Sequence, residues 1–336
     1  MSIQIIAEAG VNHNGSLSTA KELSLKAKEA GADFVKFQTF VPELLAANGA
    51  KRAEYQVRNM GDGSQLDMLR KLSLSFEEFR ELKAYCEEIG IPFLSTPFDL
   101  QSIDFLCSLG VPFWKVPSGE ITNLPYLEKI ARSGFPIVMS TGMATMEDVD
   151  AAVALLKKNG ASAITLLHCT TQYPTPVQDV NLCAMDALRE RFHLPVGYSD
   201  HTEGIVVPIA AAAHGAVMLE KHFTLDRRME GPDHKASLEP RELAEMVRAV
   251  RMVEAAMGDG VKEPKQLECG NRAIARKSIV AAVPIAAGQT LTAEMPTTKR
   301  PGSGISPMRW YDVLGRRANR GYQIDELIDR EVLEHV

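Results

Sequence analysis

The chain has no uninterrupted apolar run of the ~18–20 residues that a membrane span needs. The nearest stretch, Ile205 to Leu219, is broken by Pro208 and His214. It has no C-x-x-C pair, and its five cysteines (Cys86, Cys107, Cys169, Cys183 and Cys269) are odd in number, which suggests reduced thiols in a cytoplasmic protein rather than a disulfide framework. The first ten residues, MSIQIIAEAG, lack the basic segment and apolar run of a secretory signal. Positive charge is not in surplus either: 37 Lys and Arg stand against 43 Asp and Glu, a formal net charge of −6. A mildly acidic chain is a poor candidate for wrapping nucleic acid.

What is present describes an ordinary soluble globular protein. Of 336 residues, 45% are apolar and 24% charged, enough to bury a sizeable core without staples. The length suits two domains, or one large barrel with an appendage. Eight β-branched and aromatic runs recur, each ending in polar residues: IQIIAEAG, ADFVKFQT, IPFLSTPF, FWKVPSGE, PIVMSTGM, AITLLHCT, PVGYSDH and VMLEKHF. Most are near-continuously apolar, as parallel strands buried on both faces are.

The segments between them carry helix signals. Ser16 can cap a helix with Ala20, Leu23, Ala27 and Ala30 on one face, stopped by Gly31. Ser75 and Glu78 have capping-box spacing ahead of a helix ended by Gly90. Thr145 opens a helix closed near Gly160, and Pro240 suits the first position of one running to about Met257. Strand alternating with helix through right-handed crossovers gives an α/β fold, and eight units match a (β/α)8 TIM barrel. A doubly wound open sheet is the alternative, but no G-x-G-x-x-G follows the first strand. The long polar excursion between Thr39 and Leu72, with Tyr55, Arg58 and Asn59, follows a strand on the side where barrel enzymes place their sites.

The expected division is a catalytic barrel over 1–260, a polar linker over 261–274 and a small, mostly β domain over 275–336. Between Lys265 and Arg320 ten Lys/Arg face three Asp/Glu, so a basic stretch lies within an acidic protein, suited to cap an anionic substrate.

Polar residues at the C-terminal ends of barrel strands converge on one mouth. They are Glu8, Lys36, Gln38, Thr96, Lys115, Ser118, Glu120, Ser140, Thr171, Ser199, His201 and His222. Several charges at one end of a barrel are hard to explain as packing, since unpaired buried charge is costly. His201 and His222 end adjacent strands, ~4.8 Å apart, and can reach one divalent ion, with Glu8 closing the ring from the other side. Two nitrogens plus oxygens suit Mn²⁺, with Mg²⁺ or Co²⁺ possible. His13 belongs to a turn and His168 to the body of a strand. Lys36 and Lys115 with Ser118, Ser140 and Ser199 make a cationic, hydroxyl-rich rim for phosphate and carboxylate. A Schiff-base aldolase with one desolvated lysine is the rival; two lysines beside a histidine pair favour anion binding.

The stretches IAEAGVNHNG, VKFQTF, STPFD, KVPSGE, STGMAT, LLHCTTQYPTP, GYSDHT, EKHFTLD and GPDHKASLEP together resemble the sialic acid synthase family. The tail KSIVAAVPIAAGQTL…TTKRPGSGISPMRWYDVLG resembles that family's C-terminal SAF (antifreeze-like, β-clip) domain. The resemblance implies condensation of phosphoenolpyruvate with an N-acylated mannose-type sugar to a nine-carbon 2-keto acid and phosphate, a divalent metal, and a domain-swapped homodimer. It implies that His201 and His222 hold the metal, with Glu8 beside it. It assigns Lys36, Lys115, Ser118, Ser140, Thr171 and Ser199 to phosphoenolpyruvate, although some relatives carry Asn at the position of Thr171. Gln38, Thr96, Glu120, Tyr173 and Asp233 would line the sugar, and Arg300 would reach it from the partner's SAF domain. Water would be activated by the metal or by a carboxylate, Glu8 or Glu120. The sugar expected is N-acetylmannosamine, giving N-acetylneuraminate; 2,4-diacetamido-2,4,6-trideoxymannose, giving legionaminate, is the alternative. A carbohydrate-binding module on a dead barrel is disfavoured because the ionisable residues are all present.

Overall fold

The computed structural model describes residues 2–47 and 49–334, with every side chain among them except those of Tyr55, Arg58 and Met60. Tyr55 and Arg58 of the polar excursion therefore lie outside the described side chains. The chain divides into two compact units, Met1–Gly258 and Asp259–Val336.

The first unit is the expected barrel. Its strands are β1 (Gln4–Gly10), β2 (Phe34–Thr39), β3 (Phe93–Pro97), β4 (Trp114–Val116), β5 (Ile137–Ser140), β6 (Ile164–Cys169), β7 (Val196–Asp200) and β8 (Met218–His222). They form one parallel sheet in the order β3-β2-β1-β8-β7-β6-β5-β4. Because β1 pairs with both β2 and β8, the sheet curls, and β3 and β4 lie side by side at its seam. The helix caps form as the sequence implies. Ser16 accepts from the Thr19 N–H, Ser75 and Glu78 make a reciprocal box, and Pro240 opens the helix Pro240–Met257. Gly90 takes φ +73°, which a side chain rarely adopts, and ends the helix Phe76–Ile89.

Alternation along the strands makes two cores. Outward residues such as Ile5, Val35, Met139, Leu166 and Leu219 pack under the helices. Inward residues Ile6, Phe34, Leu94, Phe113, Val138, Leu167 and Met218 form a dry plug inside the barrel. Gly197 supplies the β7 place in that plug, where a Cβ would come within 2.3 Å of the Met218 carbonyl oxygen.

The excursion after β2 is more ordered than a loop. It carries the helices Pro42–Leu45, Glu54–Met60 and Gln65–Leu72. Met68, Leu69 and Leu72 pack with Val11 and Phe40 in a small apolar cluster. The Asn59 amide donates to the Pro232 carbonyl at 2.7 Å, tying the excursion to the segment after β8.

In the second unit, β9 (Ser278–Ala281) and β10 (Pro296–Lys299) pair antiparallel, and isolated bridges join Val280 to Leu327 and Ile285 to Tyr322. Ile279, Ile285, Leu291, Val313 and Ile328 make its core. Most of the segment 261–274, expected as linker, is a helix, Gln266–Ala275. No residue of that helix is buried, and its apolar side chains Leu267 and Ile274, seven residues apart and so on one face, are exposed. Among the described residues, no helix is long and apolar enough to cross a membrane.

Candidate active site at the barrel mouth

One step above the apolar plug, the same inward positions turn polar. Glu8, Lys36, Thr96, Lys115, Ser140, Cys169, Ser199 and Glu220 are all buried. In β1, β2 and β8 the switch takes two residues: Ile6 to Glu8, Phe34 to Lys36, Met218 to Glu220. The Lys36 ammonium lies 2.7 Å from Glu8 Oε2 and 3.7 Å from Glu220 Oε2. It donates to Thr96 Oγ1 at 3.1 Å. Lys115 Nζ lies 3.6 Å from Glu220 Oε1 and donates to Ser140 Oγ at 2.7 Å. Ser199 donates to Glu220 Oε1 at 3.1 Å.

Two cations and two carboxylates thus share one water-poor layer. Burial alone would depress Lys36, but Glu220 and Glu8 outweigh it and hold its ammonium above the ordinary lysine range. Lys115, with less carboxylate around it, is pushed down by burial. Burial raises Glu8. Glu220 faces both lysines, which overcome its burial and hold it below the ordinary value.

Glu220 was not among the residues singled out from sequence. The period of two places it on the face of His222 and Met218, so the signal was present and was masked by its charged neighbour Lys221.

Above this layer stand the groups that would meet a ligand. Gln38 donates to Glu8 Oε1 at 3.0 Å. The rings of His201 and His222 have centroids 5.3 Å apart, and Tyr173 covers both at 4.3 and 5.6 Å. Asp233 Oδ2 lies 3.9 Å from His222 Nδ1. Burial, then the charge of Glu8, pushes the Asp233 carboxyl up to about 7. On the β4–β6 side the Gly142 N–H donates to Ser118 Oγ at 3.0 Å, and Ser118 Oγ meets Cys169 Sγ at 3.2 Å.

Thr171 lines a neighbouring cavity of about 490 Å³ with Met143, Met146 and Cys169. Glu120 ends the turn Ser118–Glu120 and accepts from the Asn123 amide, half-buried at the rim; burial raises its carboxyl. Arg300 belongs to the second unit, where its Nε donates to the Ala275 carbonyl at 3.1 Å. His168 is bonded to the Val180 carbonyl at 2.7 Å. His13 is buried in its turn and accepts from the Gly15 N–H at 3.1 Å.

Glu8 is register partner to Lys36 on one side and to His222 on the other, and its carboxylate bonds the Lys36 ammonium and the Gln38 amide. Among the described residues, no three His, Cys, Asp or Glu side chains gather as a ready-made metal cluster. The histidine pair itself suits a metal. Burial lowers both imidazoles, so they stay neutral and keep lone pairs. His201 Nδ1 lies 2.6 Å from the Thr170 carbonyl. That carbonyl can only accept, which assigns the proton to Nδ1 and the lone pair to Nε2. His222 Nδ1 is buried and has no hydrogen-bond partner among the described residues.

A parallel eight-stranded barrel with paired lysines and carboxylates beneath a histidine pair is the framework of an enzyme whose chemistry sits at one mouth. The chain belongs to the NeuB family: residues 24–262 match the model of that family, and residues 276–329 match the SAF domain. It is 52% identical to the N,N'-diacetyllegionaminic acid synthase of Campylobacter jejuni, over 96% of this chain and 98% of that protein. It is 39% identical to the human N-acetylneuraminate-9-phosphate synthase, over 98% of this chain and 92% of that protein. Among solved structures, an N-acetylneuraminic acid (sialic acid) synthetase from Leptospira borgpetersenii in complex with citrate superposes with a TM-score of 0.73 at 34% identity, over 81% of this chain and 90% of that one. The chain is a biosynthetic enzyme, a synthase of the sialic acid type.

Proposed function

We propose that this synthase joins phosphoenolpyruvate to the open-chain form of an N-acylated mannose-type sugar, giving a nine-carbon 2-keto acid and inorganic phosphate. The observation that supports it most is the buried layer in which Lys36 and Lys115 stand among Ser140, Ser199 and Thr96. Ammonium and hydroxyl groups in a dry site favour a small ligand carrying both phosphate and carboxylate. Lys36, Lys115, Ser118, Ser140, Thr171 and Ser199 take phosphoenolpyruvate. Gln38, Thr96, Glu120, Tyr173 and Asp233 take the sugar.

The C=C pair of phosphoenolpyruvate forms the new bond from its carbon 3 to the aldehyde carbon, leaving carbon 2 electron-poor and negative charge on the aldehyde oxygen. Water adds at carbon 2; one of its protons passes by way of the Glu8 carboxylate, whose affinity for a proton burial raises, to the former aldehyde oxygen, which becomes a hydroxyl. Cleavage of the carbon 2–oxygen bond then releases phosphate, which carries the second proton away, and leaves the ketone. The lysines offset anionic charge from the first step to the last. His201 and His222 would hold one divalent ion, Mn²⁺ by donor type, and that ion when bound supplies Lewis-acid polarisation of the aldehyde.

For the sugar, the 52% identity to a diacetyllegionaminic acid synthase favours 2,4-diacetamido-2,4,6-trideoxymannose. N-acetylmannosamine, the first expectation from the motifs, is the second reading, supported by the likeness to neuraminate-type synthases. We also infer a homodimer in which Arg300 of one protomer completes the site of the other.

Phosphate release from phosphoenolpyruvate, measured with each sugar in parallel, tests this. Release with the diacetamido sugar is expected and should stop on chelation and return with Mn²⁺. Release with N-acetylmannosamine alone moves the product to neuraminate. No release with either, together with borohydride trapping on Lys36 or Lys115, overturns the reading in favour of Schiff-base chemistry.

A further inference from the structure

Behind the two histidines lies a second buried ion pair that the proposed chemistry does not use. Asp200 and Lys221 are both 0% exposed and bonded to each other. They are register partners, the last rung of the β7–β8 ladder. Alternation turns them outward, under the helices, while His201 and His222, each the next residue along, belong to the mouth.

The pair also grips the chain around His201. Asp200 Oδ1 accepts from the Thr202 N–H at 3.1 Å, and Oδ2 accepts from the Thr202 hydroxyl at 3.1 Å. This is an Asx-turn with His201 at its centre. Lys221 Nζ donates to the Thr202 carbonyl on the far side of the same turn. One residue beyond Lys221, the His222 carbonyl accepts from the Leu238 N–H at 2.9 Å. The turn holding His201 is therefore tied by two bonds to the residue preceding His222.

A dry sheet–helix layer does not need such a pair. Apolar residues of similar volume often stabilise as well or better, so a retained buried pair calls for another role. We infer that Asp200 and Lys221 are a positioning pair: they set the separation of the His201 and His222 rings, and through it the affinity of the histidine pair for a divalent ion. The last clause rests on the metal reading given above; the first does not.

The test replaces the pair as a unit, Asp200→Leu with Lys221→Met, in the full chain. Three quantities are read: melting temperature, Mn²⁺ affinity of the metal-free protein by calorimetry, and the histidine ring separation in a crystal structure. His201→Ala serves as the control for metal binding. The expectation is a melting temperature within a few degrees of wild type, Mn²⁺ bound on the order of 10–100-fold more weakly, the scale for groups that orient metal ligands, and rings moved from their 5.3 Å separation. Unchanged Mn²⁺ affinity and unchanged separation make the pair merely structural and overturn the proposal.

If wild type and His201→Ala both bind no Mn²⁺, the metal reading fails, and ring separation alone decides: moved rings uphold positioning, unmoved rings refute it. Should the double variant not fold, Asp200→Asn, which keeps the turn acceptor and removes the charge, is measured in the same three ways. Lys221→Arg, which keeps charge and donors, should then recover most of the affinity.

Discussion

In the barrel, Lys36, Lys115, Glu8 and Glu220 are withdrawn from water and bonded among themselves and to hydroxyls. In the second unit, Lys299 pairs with Asp325, and Arg320 with Glu326 and Asp329, through side chains that all keep contact with solvent. Ion pairs of the second kind contribute little, because water screens the attraction and competes for both partners. Pairs of the first kind are costly to assemble and worse to break. A chain that places four such charges on top of an apolar plug, where aliphatic residues would pack, has given up stability for a site. The second unit builds its core from Ile279, Ile285, Leu291, Val313 and Ile328 and leaves its charges outside.

The sharpest way to break this contrast is Lys36→Met. It leaves Glu8 and Glu220 with one lysine fewer between them, and stability should fall by about 3–5 kcal/mol, read by urea unfolding, with turnover lost. Adding Glu8→Gln should return much of the stability and none of the turnover. A loss below about 1 kcal/mol would place the layer with solvated pairs.

The second unit offers one side chain against its own rule. Arg300 is exposed, yet we assign it to the partner's site, so Arg300→Ala and His201→Ala homodimers should each be nearly inactive. Mixed and exchanged, about half the dimers carry one intact site, and roughly a quarter of wild-type activity should return. Verified exchange with no recovery would confine Arg300 to its own barrel or to no role. Arg300→Lys should substitute poorly, since an ammonium lacks the planar fork.

Glu120 tests the rim of the barrel rather than its depth. It is half-buried and bonded to Asn123, a contact that a glutamine can keep. Glu120→Gln should hold the melting temperature within a few degrees while turnover drops on the order of 10²-fold. Unfolding instead would make Glu120 a structural partner.

How much of this was legible beforehand follows from the same contrast. The eight strands are readable because parallel strands buried on both faces are apolar throughout. Lys36, Lys115, His201 and His222 stand out as polar breaks in such runs. Glu220 did not, because Lys221 and His222 beside it made its run look like a polar end rather than an alternation. The helix Gln266–Ala275 is harder to read because its large apolar side chains, Leu267 and Ile274, are few, Gly270 interrupts it, and polar residues flank it on both sides. That Glu8 stands beside both Lys36 and His222 depends on strand register, which pairs it with one on each side and which no single strand encodes.

Acid should find the barrel first. His13 and His234 are each pushed from 6.5 to about 4, chiefly by burial. The fold prefers their neutral forms, whereas the unfolded chain protonates from about 6.5 downward, so stability rises with pH across this window. It should be complete above about 6.5 and decline by a few degrees of melting temperature toward pH 4. His13→Gln should flatten that slope, and an unchanged slope would remove His13 as its cause.

The smallest effect belongs to Lys299→Ala. Its ammonium bonds Asp325 with both side chains more than half exposed, 51% and 58%. Removing it strands no buried charge, because Asp325 returns to water. Stability of the second unit should change by less than about 1 kcal/mol, and added salt should shrink even that, most of all near 1 M, where the screening length falls to about 3 Å. Barrel turnover should not move. A loss of several kcal/mol, insensitive to salt, would mean that this pair is shielded from solvent in the assembled protein, and that the second unit too has charges it cannot afford to expose.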